Sequence, residues 1–260
     1  MPAIESLLHR RTDLSTFLVH FTRDTEMPSA AARDNLLTIL RDRRLEARSS
    51  FGMAKELAEQ FPAVAATQNT VSFTETPLEH AWMMCSDIEG RRIRFNGYGL
   101  AFTKAFARRR GVNPVWYLDI TPGHDWLTTP VNQLVADAVA AATPGGATGP
   151  DPVTLAAAPI LQLTPFIDQM GTPTRIPKEF WWEREWRHVG HLSFAATDLV
   201  VVFAPEQEHS IMQDSISGYR GYTTAMPGLV DAQWGLERMI ATLAGVSDPG
   251  PFPQRPASGW

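Results

Sequence analysis

The segment "DLVVVFAP" at 198–205 constrains the fold most, because its apolar run is unbroken between Asp198 and Pro205. Such a short run reads as a buried strand, and a buried strand needs a sheet with other elements packed against it. Other runs supply that sheet. "FLVHFT" (17–22) is a second buried strand, and "NTVSFTETPL" (69–78) is a strand that stops at Pro77. "GYGLAFTKAFARRRG" (97–111) passes from strand into a helix ending at Gly111, "NPVWYLDI" (113–120) is rich in strand formers, and "REWRHVG" (184–190) is a further strand.

Helical spacing appears between these strands. "DNLLTILRDRRLEA" (34–47) repeats leucine at helical intervals with Asp34 placed as an N-cap. Segments 51–61, 78–88, 126–142, 155–170, 206–216 and 228–243 also read as helices. The pattern predicts one α+β domain over 1–246, with a mixed or antiparallel sheet, flanking helices and a helical insertion at about 124–178. The Pro/Gly-rich tail at 247–260 is expected to be disordered.

The totals exclude some classes of function. A net charge of −5 argues against a protein that coats nucleic acid non-specifically. The single cysteine, Cys85, excludes an intramolecular disulfide and a cysteine zinc cluster. No stretch has the length and apolarity of a membrane span or a signal peptide, so a cytoplasmic protein with no membrane partner is expected.

The densest chemistry lies in "EFWWEREWRHVG" (179–190). On a strand, residues two apart share a face. Glu183 and Glu185 would then stand side by side among tryptophans, and mutual repulsion and poor solvation would raise the pKa of at least one, as acid/base work requires. The alternative is that both pair with Arg184, Arg187 or another arginine. His188 and His191 are three apart, but on an apparent strand with no acidic cluster, so no metal site is expected. His20 and Thr22 would share a face if their strand continues, and Tyr98 sits between two glycines that allow a ligand close approach. Each also has a plain packing role as its alternative. Three basic clusters, Arg41/Arg43/Arg44, Arg91/Arg92/Arg94 and Arg108/Arg109/Arg110, read singly as solvated faces and together as segregated charge compatible with a polyanion.

Four fragments, "LVHFT", "VSFTETPL", "YGLAFTKAFARRRGVNPVWYL" and "EREWRHV", together resemble the abortive phage resistance AbiGi family over most of residues 17–204. That family is often labelled the antitoxin half of a phage-defence pair. The layout is similar, more remotely, to ADP-ribosyltransferases that modify nucleic acid, whose first-strand His, central Tyr and late Glu bind NAD and promote transfer. This resemblance implies a sheet core of ADP-ribosyltransferase type with NAD as donor. It gives Glu185 the bond-breaking role and Glu183 the acceptor, His20 and Thr22 a ribose, Tyr98 the nicotinamide ring and Arg48 the phosphates. The Glu-x-Glu spacing follows one branch of that superfamily and the His start another. Two functions stay open: an enzyme of anti-phage defence acting on a nucleic acid or protein acceptor, or a non-catalytic antitoxin or interaction module with a cognate toxin or antitoxin as partner.

Overall fold

The computed structural model describes Ile4 and residues 11–26, 29–50, 52–91, 93–174 and 177–246. The tail expected to be disordered lies outside the described residues. The protein is α+β with mixed strand pairing, and the chain divides into two compact units, residues 1–43, 76–104 and 194–260 forming one and residues 44–75 and 105–193 the other.

In the first unit the strands lie in the order Gly228–Val230, Leu199–Phe203, Gly99–Thr103, Phe17–Phe21. The first two run parallel and the other pairs antiparallel. Val201, Val202 and Phe203 are fully buried, as their unbroken apolar run predicts. The helix Ala32–Asp42 buries Ala32, Leu36 and Leu40 and packs against the helix His209–Ser217. The Ala32 helix is not capped by Asp34, which lies in its first turn. Its N-cap is Ala31, and Asp24 reaches in from outside to accept the Ala32 N–H at 2.8 Å. Part of the segment expected to be helical at 228–243 is the strand Gly228–Val230, and the helix begins only at Leu236. Tertiary pairing beside a buried strand overrides local spacing there.

In the second unit Glu185–Val189 pairs antiparallel with Asn69–Thr74 on one side and with the edge strand Asn113–Pro114 on the other. The two-residue strand Ser49–Ser50 joins the start of Asn69–Thr74. Trp116–Asp119 pairs in parallel with Ile167–Met170, and Arg44–Leu45 pairs antiparallel with Leu192–Ser193. The expected helical stretch 155–170 therefore ends in a strand, with helices at Pro152–Ala157 and Pro159–Leu163 before it. Prolines explain those breaks: Pro152 and Pro159 each sit in a first turn, where no N–H is needed. Asp151 caps the first of these helices by accepting the Thr154 N–H at 2.8 Å. With the helix Thr128–Ala141 they close over an apolar cluster that includes Val64, Ala142, Leu155 and Leu161. Among the described residues no helix is long and apolar enough to cross a membrane.

Candidate functional site

Glu185 is the first residue of the Glu185–Val189 strand, but Glu183 is not on that strand. It ends the 3-10 turn Trp181–Glu183, and Arg184 follows in the left-handed region at φ 49°. The expectation of two glutamates on one strand face is therefore corrected, because the kink at Arg184 breaks the alternation. Arg184 is held there by a cross-strand exchange. Its carbonyl accepts the Glu75 N–H at 3.1 Å, and its guanidinium donates to Glu75 Oε1 at 2.9 Å. Glu75 also accepts the indole N–H of Trp186 at 2.7 Å.

The residue that shares a face with Glu185 is Arg187, two places forward. Arg187 Nε donates to Glu185 Oε1 at 2.9 Å and Nη2 to Oε2 at 2.7 Å, a two-pronged pair. The guanidinium is 1% exposed. It also donates from Nη1 to the Pro165 carbonyl at 2.9 Å and from Nη2 to Asp168, which Lys178 meets from its other side at 2.8 Å. Backbone geometry makes room for this. Gly52 has φ 97°, and a Cβ there would lie 2.6 Å from the Thr164 carbonyl oxygen and 3.3 Å from Arg187 Nη1. Only glycine fits both demands.

The charges are mutually dependent. Burial disfavours the Arg187 charge, but Glu185 and Asp168 more than offset it, so the guanidinium holds its proton more firmly than usual. Burial likewise opposes ionisation of Asp168, yet Arg187 and Lys178 hold its carboxyl below the ordinary range. Tyr117 is pushed the other way, upward, first by burial and then by the charge of Glu185, with Glu183 contributing as well. Both glutamates therefore act on one buried phenol although they do not share a strand face.

His20, Thr22 and Tyr98 belong to the first unit. His20 lies opposite Leu100, and the pairing runs one residue past the strand ends, where the Thr22 N–H donates to the Tyr98 carbonyl at 2.9 Å. Strand alternation places His20, Thr22 and Tyr98 on one face, with His20 and Tyr98 as diagonal neighbours. Thr22 does not suit a ligand role. Its side chain is buried and its hydroxyl donates inward, to the Ala32 carbonyl at 2.8 Å. Tyr98 is buried too, and its hydroxyl donates to Glu208 Oε1 at 2.9 Å, which, after burial itself, raises its pKa to about 12. Arg33 meets the other Glu208 oxygen at 3.4 Å. A ring packed in this way does not offer the open face that stacking on nicotinamide needs. Arg48, in the second unit, is exposed and pairs with its neighbour Glu46 at 2.9 Å. As contacts for NAD, then, His20, Arg48, Glu183 and Glu185 keep accessible surface, whereas Thr22 and Tyr98 are committed to the protein.

The two histidines of "HVGH" bond to backbone: His188 Nδ1 lies 3.0 Å from the Gly190 carbonyl oxygen, and His191 Nδ1 accepts the Ala47 N–H at 3.0 Å. Among the described residues no group of three or more His, Cys, Asp or Glu is arranged to hold a metal. Sequence reasoning missed Asp168, Lys178, Tyr117 and Glu75. The signal for Asp168 was present, a lone acid inside the largely apolar run "PFIDQM".

No family model, curated protein or solved structure matches the chain.

Proposed function

We propose that the chain is an ADP-ribosyltransferase-like enzyme of bacterial anti-phage defence that takes NAD as donor and a nucleic acid or protein as acceptor. The fragments that resemble the AbiGi family and the more remote likeness to ADP-ribosyltransferases are its sequence support. One structural observation carries the reading furthest: Glu185 stands at the head of its strand with both carboxylate oxygens fixed by Arg187 and part of its surface still accessible. Cleavage of the nicotinamide–ribose bond of NAD develops positive charge on the ribose, as in glycoside hydrolysis. Glu185, already oriented, stabilises that charge without having to reorganise. Asp168 and Lys178 steady Arg187, and Glu183 takes the acceptor's proton. The test is nicotinamide release by the purified protein with calorimetry of NAD binding. Glu185→Gln keeps the side-chain shape, and its release rate should fall by about 10²–10³ with NAD binding retained. A wild type that neither binds NAD nor releases nicotinamide with any acceptor supplied ends this reading.

A second reading, a non-catalytic antitoxin or interaction module, is favoured by a specific observation. Glu185, Thr22 and Tyr98 all spend hydrogen bonds on the protein itself. No activity in wild type together with tight binding of a cognate toxin decides for it, whereas full activity of Glu185→Gln keeps an enzyme and removes Glu185 from its catalytic role.

A further inference from the structure

The three basic clusters have different fates in the fold. Arg91 is turned inward, donating to the Met84 and Ser86 carbonyls at 2.6 and 2.7 Å and lying over the Phe95 ring, while Arg94 pairs with Asp87 at 3.2 Å. Arg92 lies outside the described residues. Arg44, the last residue of the first cluster, and the cluster Arg108/Arg109/Arg110 both belong to the second unit. Arg110 donates to the Ser193 carbonyl at 3.0 Å, and Ser193 is the strand partner of Arg44. Arg44 and Arg110, 66 positions apart in sequence (110 minus 44), thus reach one short ladder. Arg108 and Arg109 precede Arg110 at the end of the helix Lys104–Arg109, and all four arginines are exposed. The segments 105–115 and 190–193 contain no acid, and Glu46, beside Arg44, is engaged by Arg48.

The same stretch of chain continues into the edge strand Asn113–Pro114 and then Trp116, which is 52% exposed. Arg110 and Trp116 are six residues apart, at most ~20 Å of extended chain. Guanidinium groups pair with phosphates in a two-pronged way, and an exposed indole at a sheet edge stacks on an unpaired base. A duplex offers no such base.

We propose that Arg44, Arg108, Arg109, Arg110 and Trp116 form a binding surface for single-stranded nucleic acid. This makes nucleic acid the acceptor, a word that rests on the enzyme reading above, although the binding itself does not. Because the whole chain is acidic, the attraction is local and salt-sensitive.

The probe is a fluorescein-labelled oligothymidylate of about 20 nucleotides, followed by anisotropy across a salt series without NAD. Four phosphate contacts give a slope of log K against log salt of about −3, and Arg108→Ala with Arg109→Ala should make it shallower by about 1.4. Trp116→Ala should weaken binding roughly tenfold or more with little change in slope, because stacking releases no counterions. Melting temperatures of the variants check that the fold is intact. Equal affinity for the duplex and for heparin, with Trp116→Ala unchanged, overturns the proposal, as does an absence of binding at low salt. A chain that binds the oligonucleotide but never releases nicotinamide keeps this surface and loses the enzyme reading. A chain that releases nicotinamide but binds no oligonucleotide keeps the enzyme reading, with a protein acceptor, and loses the surface.

Discussion

Glu208 in the first unit and Asp168 in the second each sit between a cation and a further polar partner, but the cations differ in burial. Arg33, which meets Glu208, is 37% exposed along its side chain, whereas Arg187, which meets Asp168, is 1% exposed. Water reaches part of the Arg33 side chain. It does not reach Arg187, whose charge Glu185 and Asp168 balance. Similar pairs of side chains therefore carry different weight. The first is an adjustable contact that positions a phenol, and the second is a fixed framework around the candidate carboxylate.

The largest test of that contrast is to remove the buried cation. Arg187→Ala leaves two part-buried carboxylates, Glu185 and Asp168, without the cation between them and takes the Arg187 donor from the Pro165 carbonyl. Breaking a buried pair from one side costs about 3–5 kcal/mol. Chemical denaturation of this variant should show a loss of that order, while Arg33→Ala should lose no more than about 1 kcal/mol. Equal losses would erase the difference between the units.

Acid provides an intermediate test. The Asp168 carboxyl is held below the ordinary range by Arg187 and Lys178. A group whose folded pKa is depressed contributes stability that is present above its unfolded value, about 3.9 for aspartate, and is lost as pH falls through the folded value. Stability of the wild type should therefore drop below about pH 4, and Asp168→Asn should flatten that limb. The variant also loses a hydrogen bond to a charged group, worth about 1.5–3 kcal/mol at neutral pH. An unchanged acid limb in Asp168→Asn would place the sensitivity on another carboxylate.

The fold was more legible in the sequence than the site. The Leu199–Phe203 strand declares itself through an unbroken apolar run, and the strand-to-helix passage at 99–109 through its glycine and its arginines. Local pattern failed where a strand is set by its neighbour, at Gly228–Val230 and Ile167–Met170, both joined to parallel partners distant in sequence. The period-two rule failed at Glu183 because nothing in "EREW" announces a left-handed arginine, a conformation stabilised from the other strand by Glu75. It held for Glu185 and Arg187, so the alternative of an arginine partner describes Glu185 better than a second carboxylate does. Asp168 reaches Arg187 from 19 residues away (187 minus 168) and is itself met by Lys178, 10 residues along the chain from it (178 minus 168), which no local reading connects.

The smallest expected effect concerns Tyr98 and sharpens the comparison from the adjustable side. Tyr98→Phe removes one hydroxyl donor and leaves Glu208 with Arg33 and access to water, so the loss is about 1 kcal/mol, an ordinary net hydrogen bond. Its pH dependence separates this hydrogen bond from simple packing. Burial and Glu208 raise the phenol to about 12. A group whose folded pKa is raised contributes stability in full below its unfolded value, near 10 for tyrosine, and loses it as pH rises toward the folded value. The wild type should thus lose stability between about pH 10 and 12, less steeply in Tyr98→Phe, when unfolding is followed by denaturant across that range. Tyr117 and Tyr222 are also raised, so part of the alkaline limb persists in the variant. If Tyr98→Phe proves as costly as Arg187→Ala, the first unit is as rigidly framed as the second and Tyr98 is a structural pin. If it costs nothing at any pH, the hydroxyl is not held by Glu208 in solution, and its ring becomes available to a ligand after all.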